Sequence, residues 1–311
     1  LTAADGSYVE TTAPTSYAQV ASGSWGMYGV VYNAADGDLQ LSGYAEGYKF
    51  NLASYSSLSF SVAAQDSQPE GITFNSDGTK LYMIGKTTDV IYQYSLSSPF
   101  DISTASYSAV SFSVAGQETT PSGIIFNPLG TKMYIIGETT RDIFQYSLSV
   151  AFDLSTATYD SVSFATDAQG GGPQDIKFNN DGTKIYVVES DNERVNQYSL
   201  STAYNIGTAT YDSVTLNISA QDTFAKGLDF NADGTKMYIV GQATDAVYEY
   251  IFTTAFDLST ASYNLVSFSV SGQDATPSGI KFSSDGTKMY IVGGANDSVY
   301  QYSTSELFTQ T

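Results

Sequence analysis

The sequence predicts an all-β fold of repeated four-stranded sheets, and three observations predict it. A hairpin-like stretch, FNSDGTKLYMIG, recurs as FNPLGTKMYIIG, FNNDGTKIYVVE, FNADGTKMYIVG and FSSDGTKMYIVG; the copies start at Phe74, Phe126, Phe178, Phe230 and Phe282, each 52 residues after the last. Between copies, apolar residues recur at a period of two, as in Val110, Phe112, Val114 and again in Val266, Phe268, Val270. The 311 residues are rich in Tyr (25), Phe (17) and Gly (27), a composition of strands and turns. Four short antiparallel strands repeated at this period mark propeller blades. One such sheet alone leaves both faces wet, and packing blades around an axis covers them.

The elements follow in order. Gly71, Gly123, Gly227 and Gly279 precede an apolar residue and then the Phe, and only Asp175 interrupts that column. An Asp-Gly-Thr-Lys turn comes next, with Leu129 replacing the Asp in one copy. Gly accepts positive φ without a steric penalty, so Asp-Gly between apolar runs predicts a hairpin. Tyr82, Tyr134, Tyr186, Tyr238 and Tyr290 lie in the second strand; VIYQYSLS and its cognates form the third; a loop of the type FDLSTA leads to the fourth. Regular units span 63–114, 115–166, 167–218 and 219–270, and 271–311 stops where an outer strand should begin. Residues 15–62 read as a diverged blade, which makes the expected fold a six-bladed β-propeller. Tyr8 lies 52 residues before Phe60, so residues 1–14 are expected to supply the strand that closes the last blade, within one molecule or between molecules.

The unit resembles the propeller repeats of the broad YVTN/NHL-like and lactonase-like group, whose blades open with a Gly-Ile-x-Phe-x-x-Asp-Gly-x-x-x-Tyr hairpin. It is similar also to repeats with YQYSLS, FDLSTASY and VSFSV segments in environmental bacterial and phage surface proteins. The resemblance covers residues 55–308 and implies the fold; propellers host many unrelated functions, so it implies no single activity.

A net charge of −20 and a pI of about 4.1 argue against nucleic acid or an anionic membrane as partner. No apolar run approaches the roughly 20 residues that span a bilayer. His and Cys are absent, which removes thiol chemistry, His-dependent triads and the common zinc ligand sets. Arg141 and Arg194 are the only arginines, so a three-arginine grip on a substrate carboxylate is unavailable. A Cys-free, acidic chain that begins with Leu leads us to expect a processed or partial product placed outside a cell or on a virion.

Ring-like columns supply the candidate ligand or assembly residues. Gln65, Gln117, Gln169, Gln221 and Gln273 recur before each inner strand, and Asp66, Glu118, Asp222 and Asp274 follow four of them. The loop between second and third strands carries Asp89, Glu193, Asp245 and Asp297, with Arg141 as the exception. Strand alternation places both sets on one acidic face, and Lys80, Lys132, Lys184, Lys236 and Lys288 on the other. Asp229, Asn231 and Asp233 have the one-three-five spacing of a calcium loop but lack a Glu at the twelfth position, so an ordinary turn is the competing reading. Calcium is the one cofactor considered. Asn217 and Asn296 begin Asn-x-Ser sequons. Lys177, Asp229 and Lys281 are expected to face the central channel and neutralise one another.

On these grounds the expected function is that of a non-catalytic extracellular or virion-surface subunit, structural or adhesive, assembling with itself or with other surface proteins by strand donation or stacking. The alternatives are a propeller that binds glycans or cations at its acidic face, and a hydrolase built on carboxylates.

Overall fold

The computed structural model describes residues 29–33, 38–42 and 50–304. The chain divides into two compact units, Leu1–Glu46 and Gly47–Thr311. In the first, β1 (Gly29–Asn33) and β2 (Asp38–Ser42) pair as an antiparallel hairpin.

The second unit is a β-propeller of five four-stranded antiparallel sheets. Blade one comprises β4 (Pro69–Phe74), β5 (Lys80–Gly85), β6 (Val90–Leu96) and β7 (Ala105–Ser113). Blade two comprises β8 (Pro121–Phe126), β9 (Lys132–Gly137), β10 (Asp142–Leu148) and β11 (Ala157–Ala165). Blade three is β12 (Pro173–Phe178), β13 (Lys184–Glu189), β14 (Arg194–Leu200) and β15 (Ala209–Asn217). Blade four is β16 (Ala225–Phe230), β17 (Lys236–Gly241), β18 (Ala246–Phe252) and β19 (Ala261–Ser269). Blade five takes β20 (Pro277–Phe282), β21 (Lys288–Gly293) and β22 (Ser298–Ser303), and its outer strand is β3 (Ser54–Ser61), from the opposite end of the unit.

That pairing corrects the expected blade count. The fourth-strand pattern at 55–62 belongs to no sixth blade: Tyr55 pairs with Tyr302, Leu58 with Gln301 and Phe60 with Val299, and the ring closes at five. The 3-10 turn Phe50–Leu52 reproduces the turn before every other outer strand, and Phe50 is buried where Ile102, Leu154, Ile206 and Leu258 are buried in the other copies. Mixed-end closure was expected, but the strand is 54–61 rather than one near Tyr8, which lies outside the described residues.

The core lies between blades. Each of the five apolar clusters joins residues of two neighbouring blades, and the fifth joins blade five to blade one through Phe74, Leu81, Tyr290 and Val292. At every joint a second-strand Tyr ring tilts onto the first-strand Phe of the next blade. The pairs are Tyr82–Phe126, Tyr134–Phe178, Tyr186–Phe230, Tyr238–Phe282 and Tyr290–Phe74, with centroids 4.5–4.8 Å apart. Such pairs add about 1 kcal/mol each to the area they bury. The hydroxyl then donates to a carbonyl of the next blade's outer loop: Tyr82 to Phe152 at 2.6 Å, Tyr134 to Tyr204 at 2.5 Å, Tyr186 to Phe256 and Tyr290 to Phe100. Burial raises the pKa of these phenols, so they remain protonated donors.

The turn residues have local reasons. Asp77 Oδ1 accepts from the Thr79 amide at 3.0 Å, and Asn75 Oδ1 accepts from the Lys80 amide at 2.8 Å. Gly78 has φ +73°, and a Cβ there would lie 2.3 Å from the Phe100 ring, so the position excludes side chains twice over.

Two predictions follow from this architecture. Cysteines at Ser61 and Ser298, which face each other across β3 and β22, will oxidise within one molecule and raise stability by up to about 5 kcal/mol. Covalent dimers on a non-reducing gel would instead mean that β3 completes a second copy. Tyr134→Phe will destabilise more than Tyr82→Phe, by about 1 kcal/mol in urea unfolding, because the Phe152 carbonyl keeps the Lys80 ammonium at 2.8 Å when Tyr82 loses its hydroxyl.

Candidate functional site

The loops entering the inner strands and the loops between second and third strands share one face, because carboxylates of the first set bind the second. Asp66 accepts from the Gln68 amide at 2.7 Å and from the Thr88 amide and hydroxyl at 2.9 and 2.6 Å. Asp222 does the same with Phe224 and Thr244, and Glu118 with Thr120 and Thr140. Asp274 accepts from the Thr276 and Asn296 amides. Burial pushes the Glu118 carboxyl up, but the bonds from Thr140 and Thr120 outweigh it and hold it low. The Gln column is equally engaged: Gln65, Gln117, Gln169, Gln221 and Gln273 each accept a hydroxyl, from Tyr94, Tyr146, Tyr198, Tyr250 and Tyr302. Asp89, Arg141, Glu193, Asp245 and Asp297 hold positive φ between 44° and 61°, and their carbonyls accept the amides of Val114, Thr166, Ile218, Val270 and Val62. Burial, and then neighbouring carboxylates of the first set, raise the carboxyls of Asp89, Asp245 and Asp297.

On the opposite face, Lys80, Lys184 and Lys288 donate to carbonyls of Phe152, Phe256 and Phe100, while Lys132 and Lys236 pair with Asp160 at 2.6 Å and Glu249 at 3.1 Å. The calcium-like triplet is drawn apart. Asp229 faces Lys281, Asn231 binds the Lys236 amide and the Thr235 hydroxyl, and Asp233 binds the Thr235 amide and hydroxyl. Among the described residues no group of three or more acidic side chains is placed to share a metal ion. Asn217 is exposed on β15; Asn296 is exposed too, with its amide nitrogen donating to the Gln273 carbonyl at 2.9 Å.

The chemistry gathers where the copies stop repeating. At the axial mouth of the acidic face, one inner-strand column reads Glu70, Ser122, Gln174, Lys226, Ser278, and the column that follows each second strand reads Lys86, Glu138, Ser190, Gln242, Gly294. Lys226, 5% exposed, lies 3.6 Å from Glu70 Oε2 and 3.5 Å from Glu138 Oε1, and donates to Gln174 Oε1 at 2.7 Å. Lys86 donates to Glu138 Oε2 at 3.0 Å and stands 4.0 Å from Glu70 Oε1. Gln174 is held by its own amide, which donates to the Gly172 carbonyl and the Ser190 hydroxyl. Phe224 replaces Gln68, Thr120, Gly172 and Thr276 of the other copies. It is 40% exposed, with the Lys226 ammonium 4.9 Å from its ring centre.

Environment separates the two carboxyls. Burial raises Glu70 and outweighs the pull of Lys226 and Lys86, while the Glu138 charge pushes it further up. Burial raises Glu138 too, but the Lys226 charge and the Lys86 hydrogen bond outweigh it and leave Glu138 low. Sequence reading missed this set because it followed repeated columns. The usable signal was the reverse, columns where charged and polar residues change from blade to blade.

Blade three carries a second break. Where four blades pair a loop acid with Gly85, Gly137, Gly241 or Gly293, this blade has Gly170 in the loop and Glu189 on the strand. The exchange is steric: a Cβ on Gly85 would lie 2.3 Å from the Asp66 carboxylate, and one on Gly170 would lie 1.6 Å from Glu189 Oε2. Glu189 is fully buried, and among the described residues neither oxygen has a hydrogen-bond partner. Burial pushes its carboxyl up to about 7 against the pull of Asn196, Arg194 and Arg141.

No protein-family model matches the chain, and no curated protein matches it. Solved structures do. A putative 6-phosphogluconolactonase from Bacteroides uniformis is similar at TM-score 0.48 and 11% identity, over 86% of this chain and 70% of that one. The periplasmic gluconolactonase of Pseudomonas aeruginosa is similar at TM-score 0.47 and 12% identity, over 89% and 74%. A luciferin-regenerating enzyme is similar at TM-score 0.48 and 12% identity, over 81% and 96%. The chain spans 62% of the length of a functionally unknown protein from Desulfotomaculum acetoxidans that it also resembles. The expectations of a non-catalytic structural subunit and of no enzyme are corrected. They rested on a nearly invariant repeat, on disc faces of unlike charge, on a strand donated across the ends and on the want of catalytic residues that stand out. The structure completes the last blade within the unit and brings together an unrepeated Glu–Lys cluster.

Glu189 makes a prediction with a definite sign. With its folded value near 7 against 4.5 for a free carboxyl, the native chain binds more protons than the unfolded one within that window. Stability from this group therefore falls as pH rises through it and is constant above. Relative to Glu189→Gln, the wild type will lose about 3 kcal/mol between acidic and mildly alkaline pH, read from urea midpoints; a pH-independent difference would refute it.

Proposed function

We propose that the chain is a hydrolase of small ring esters, sugar lactones being the class to test first, acting at the mouth formed by Glu70, Glu138, Lys86, Lys226 and Gln174. The observation that carries the reading is the opposed shift of two carboxyls flanking one buried ammonium. Environments that drive paired titratable groups apart assign the acid and the base. Glu138, held ionised, takes a proton from a water whose oxygen bonds to the ester carbonyl carbon. The Lys226 and Lys86 ammoniums face the oxyanion that develops there. Glu70, whose carboxyl burial raises, is the acid that gives a proton to the alkoxide as the carbon–oxygen bond of the ring breaks, and solvent returns the proton from Glu138 to Glu70. Phe224 offers a flat apolar face for the ring, and Gln174 keeps Lys226 in place. We also read the blades as YVTN/NHL-like, on their Phe-Asn-x-Asp-Gly-Thr-Lys-x-Tyr hairpins.

The test is a pH-stat assay on a panel of sugar lactones and aliphatic lactones. Glu138→Gln will lower kcat by about 100-fold or more with KM nearly unchanged, as expected for loss of a general base. Phe224→Ala will raise KM and spare kcat. A wild-type protein that hydrolyses no member of the panel faster than buffer, or a Glu138→Gln variant with full activity, would overturn the proposal.

A further inference from the structure

The opposite end of the axis opens into a cavity of about 380 Å³, a volume typical of small-ligand sites. Its wall is repeated: Phe74, Phe126, Phe178, Phe230 and Phe282 ring it at the ends of the inner strands, each followed within two residues by an Asn or Ser that also lines it. The axial column exposed to it is not repeated, reading Thr73, Ile125, Lys177, Asp229, Lys281. Mutual neutralisation of its three charges holds only in part. Lys281 donates to Asp229 Oδ1 at 3.1 Å, while Lys177 turns to Asp175, with 3.4 Å from its Nζ to Asp175 Oδ2.

Both carboxylates also serve the backbone. Asp229 Oδ2 accepts from the Phe282 amide at 2.9 Å, and Asp175 accepts from the Ile176 and Leu228 amides at 2.8 and 3.1 Å. Burial raises the Asp175 carboxyl, which weakens its claim on Lys177. The Lys177 side chain is 4% exposed and, among the described residues, has this one long polar contact. An ammonium has three protons to donate, and a desolvated one with a single distant partner is costly. A second anion in the cavity would relieve that cost.

We propose that this cavity binds a small aromatic carboxylate, its ring against the phenylalanine wall and its carboxylate at Lys177 and Lys281. The site is independent of the hydrolytic mouth at the other end of the axis. Benzoate is the probe, titrated by calorimetry into the full chain, with benzyl alcohol, acetate and benzylamine as controls for charge, ring and sign. One benzoate will bind per chain in the millimolar range or tighter. Each control will bind at least tenfold more weakly, and Lys177→Met and Lys281→Met will each cost at least tenfold in affinity. Lys86→Met, at the far mouth, will leave benzoate binding unchanged. Should a cavity variant fail to fold, wild-type protein with ¹³C-methylated lysines decides the matter: benzoate will shift the Lys177 and Lys281 signals and leave that of Lys86 in place. Absence of saturable benzoate binding, equal binding of benzyl alcohol, or unmoved Lys177 and Lys281 signals would overturn the assignment.

Discussion

The joint between blades is the interaction on which everything else depends. A second-strand Tyr leans on the first-strand Phe of the next blade and sends its hydroxyl to that blade's outer loop, so one side chain contributes both apolar packing and a directional bond. The Phe whose carbonyl is bound, Phe100 or Phe152, sits at positive φ and lies over the Gly of the hairpin turn. Turn, loop and joint are therefore one device, and changing any part disturbs the other two. Because the blades are equivalent, five such joints must close on themselves. The last is completed across the two ends of the second unit, where Phe74 meets Tyr290 and β3 fills the edge of β22.

Radial repetition imposes a second constraint at the axis. Inner strands approach closely there: a Cβ on Gly279 would lie 2.6 Å from the Glu70 carbonyl. A charge repeated in every blade would face four copies of itself around the axis, and Coulomb repulsion opposes it. Charged residues can enter the axis only as unlike neighbours, as in Glu70 with Lys226 or Asp229 with Lys281. Asymmetry at the axis is therefore required by electrostatics, and it sets unlike charges side by side at fixed positions on the ring.

Blade three shows how such a scaffold accommodates departure from its own repeat. The loop acid becomes Gly170 and the strand glycine becomes Glu189, so the volume is conserved while the four donors that satisfy Asp66 or Asp222 are lost. The cost appears as a buried carboxyl displaced toward neutrality beside Asn196, which stands where the other blades place Tyr or Phe.

The 52-residue period, the Asp-Gly turns and the alternating fourth strands carried the architecture of a blade in the sequence alone, because they encode local backbone geometry and burial within one repeat. The identity of residues 55–62 as an outer strand was legible in the same way. Their partner was not: Tyr55 pairs with Tyr302 across most of the chain, so whether that strand adds a blade or completes one depends on the angle at which five sheets close. The acids and glutamines of the repeated columns looked like a ligand face because sequence shows residue types without their bonds. The structure binds Asp66, Glu118, Asp222 and Asp274 to Thr and backbone donors and the glutamines to Tyr hydroxyls, while Asp89 and Asp245 each keep a buried oxygen with no hydrogen-bond partner among the described residues. Glu70, Glu138, Lys86 and Lys226 are separated by tens of residues and meet only because a ring brings equivalent positions of different blades to one axis. Local periodicity determined the blade; closure of the ring decided the number of blades and the company each axial side chain keeps.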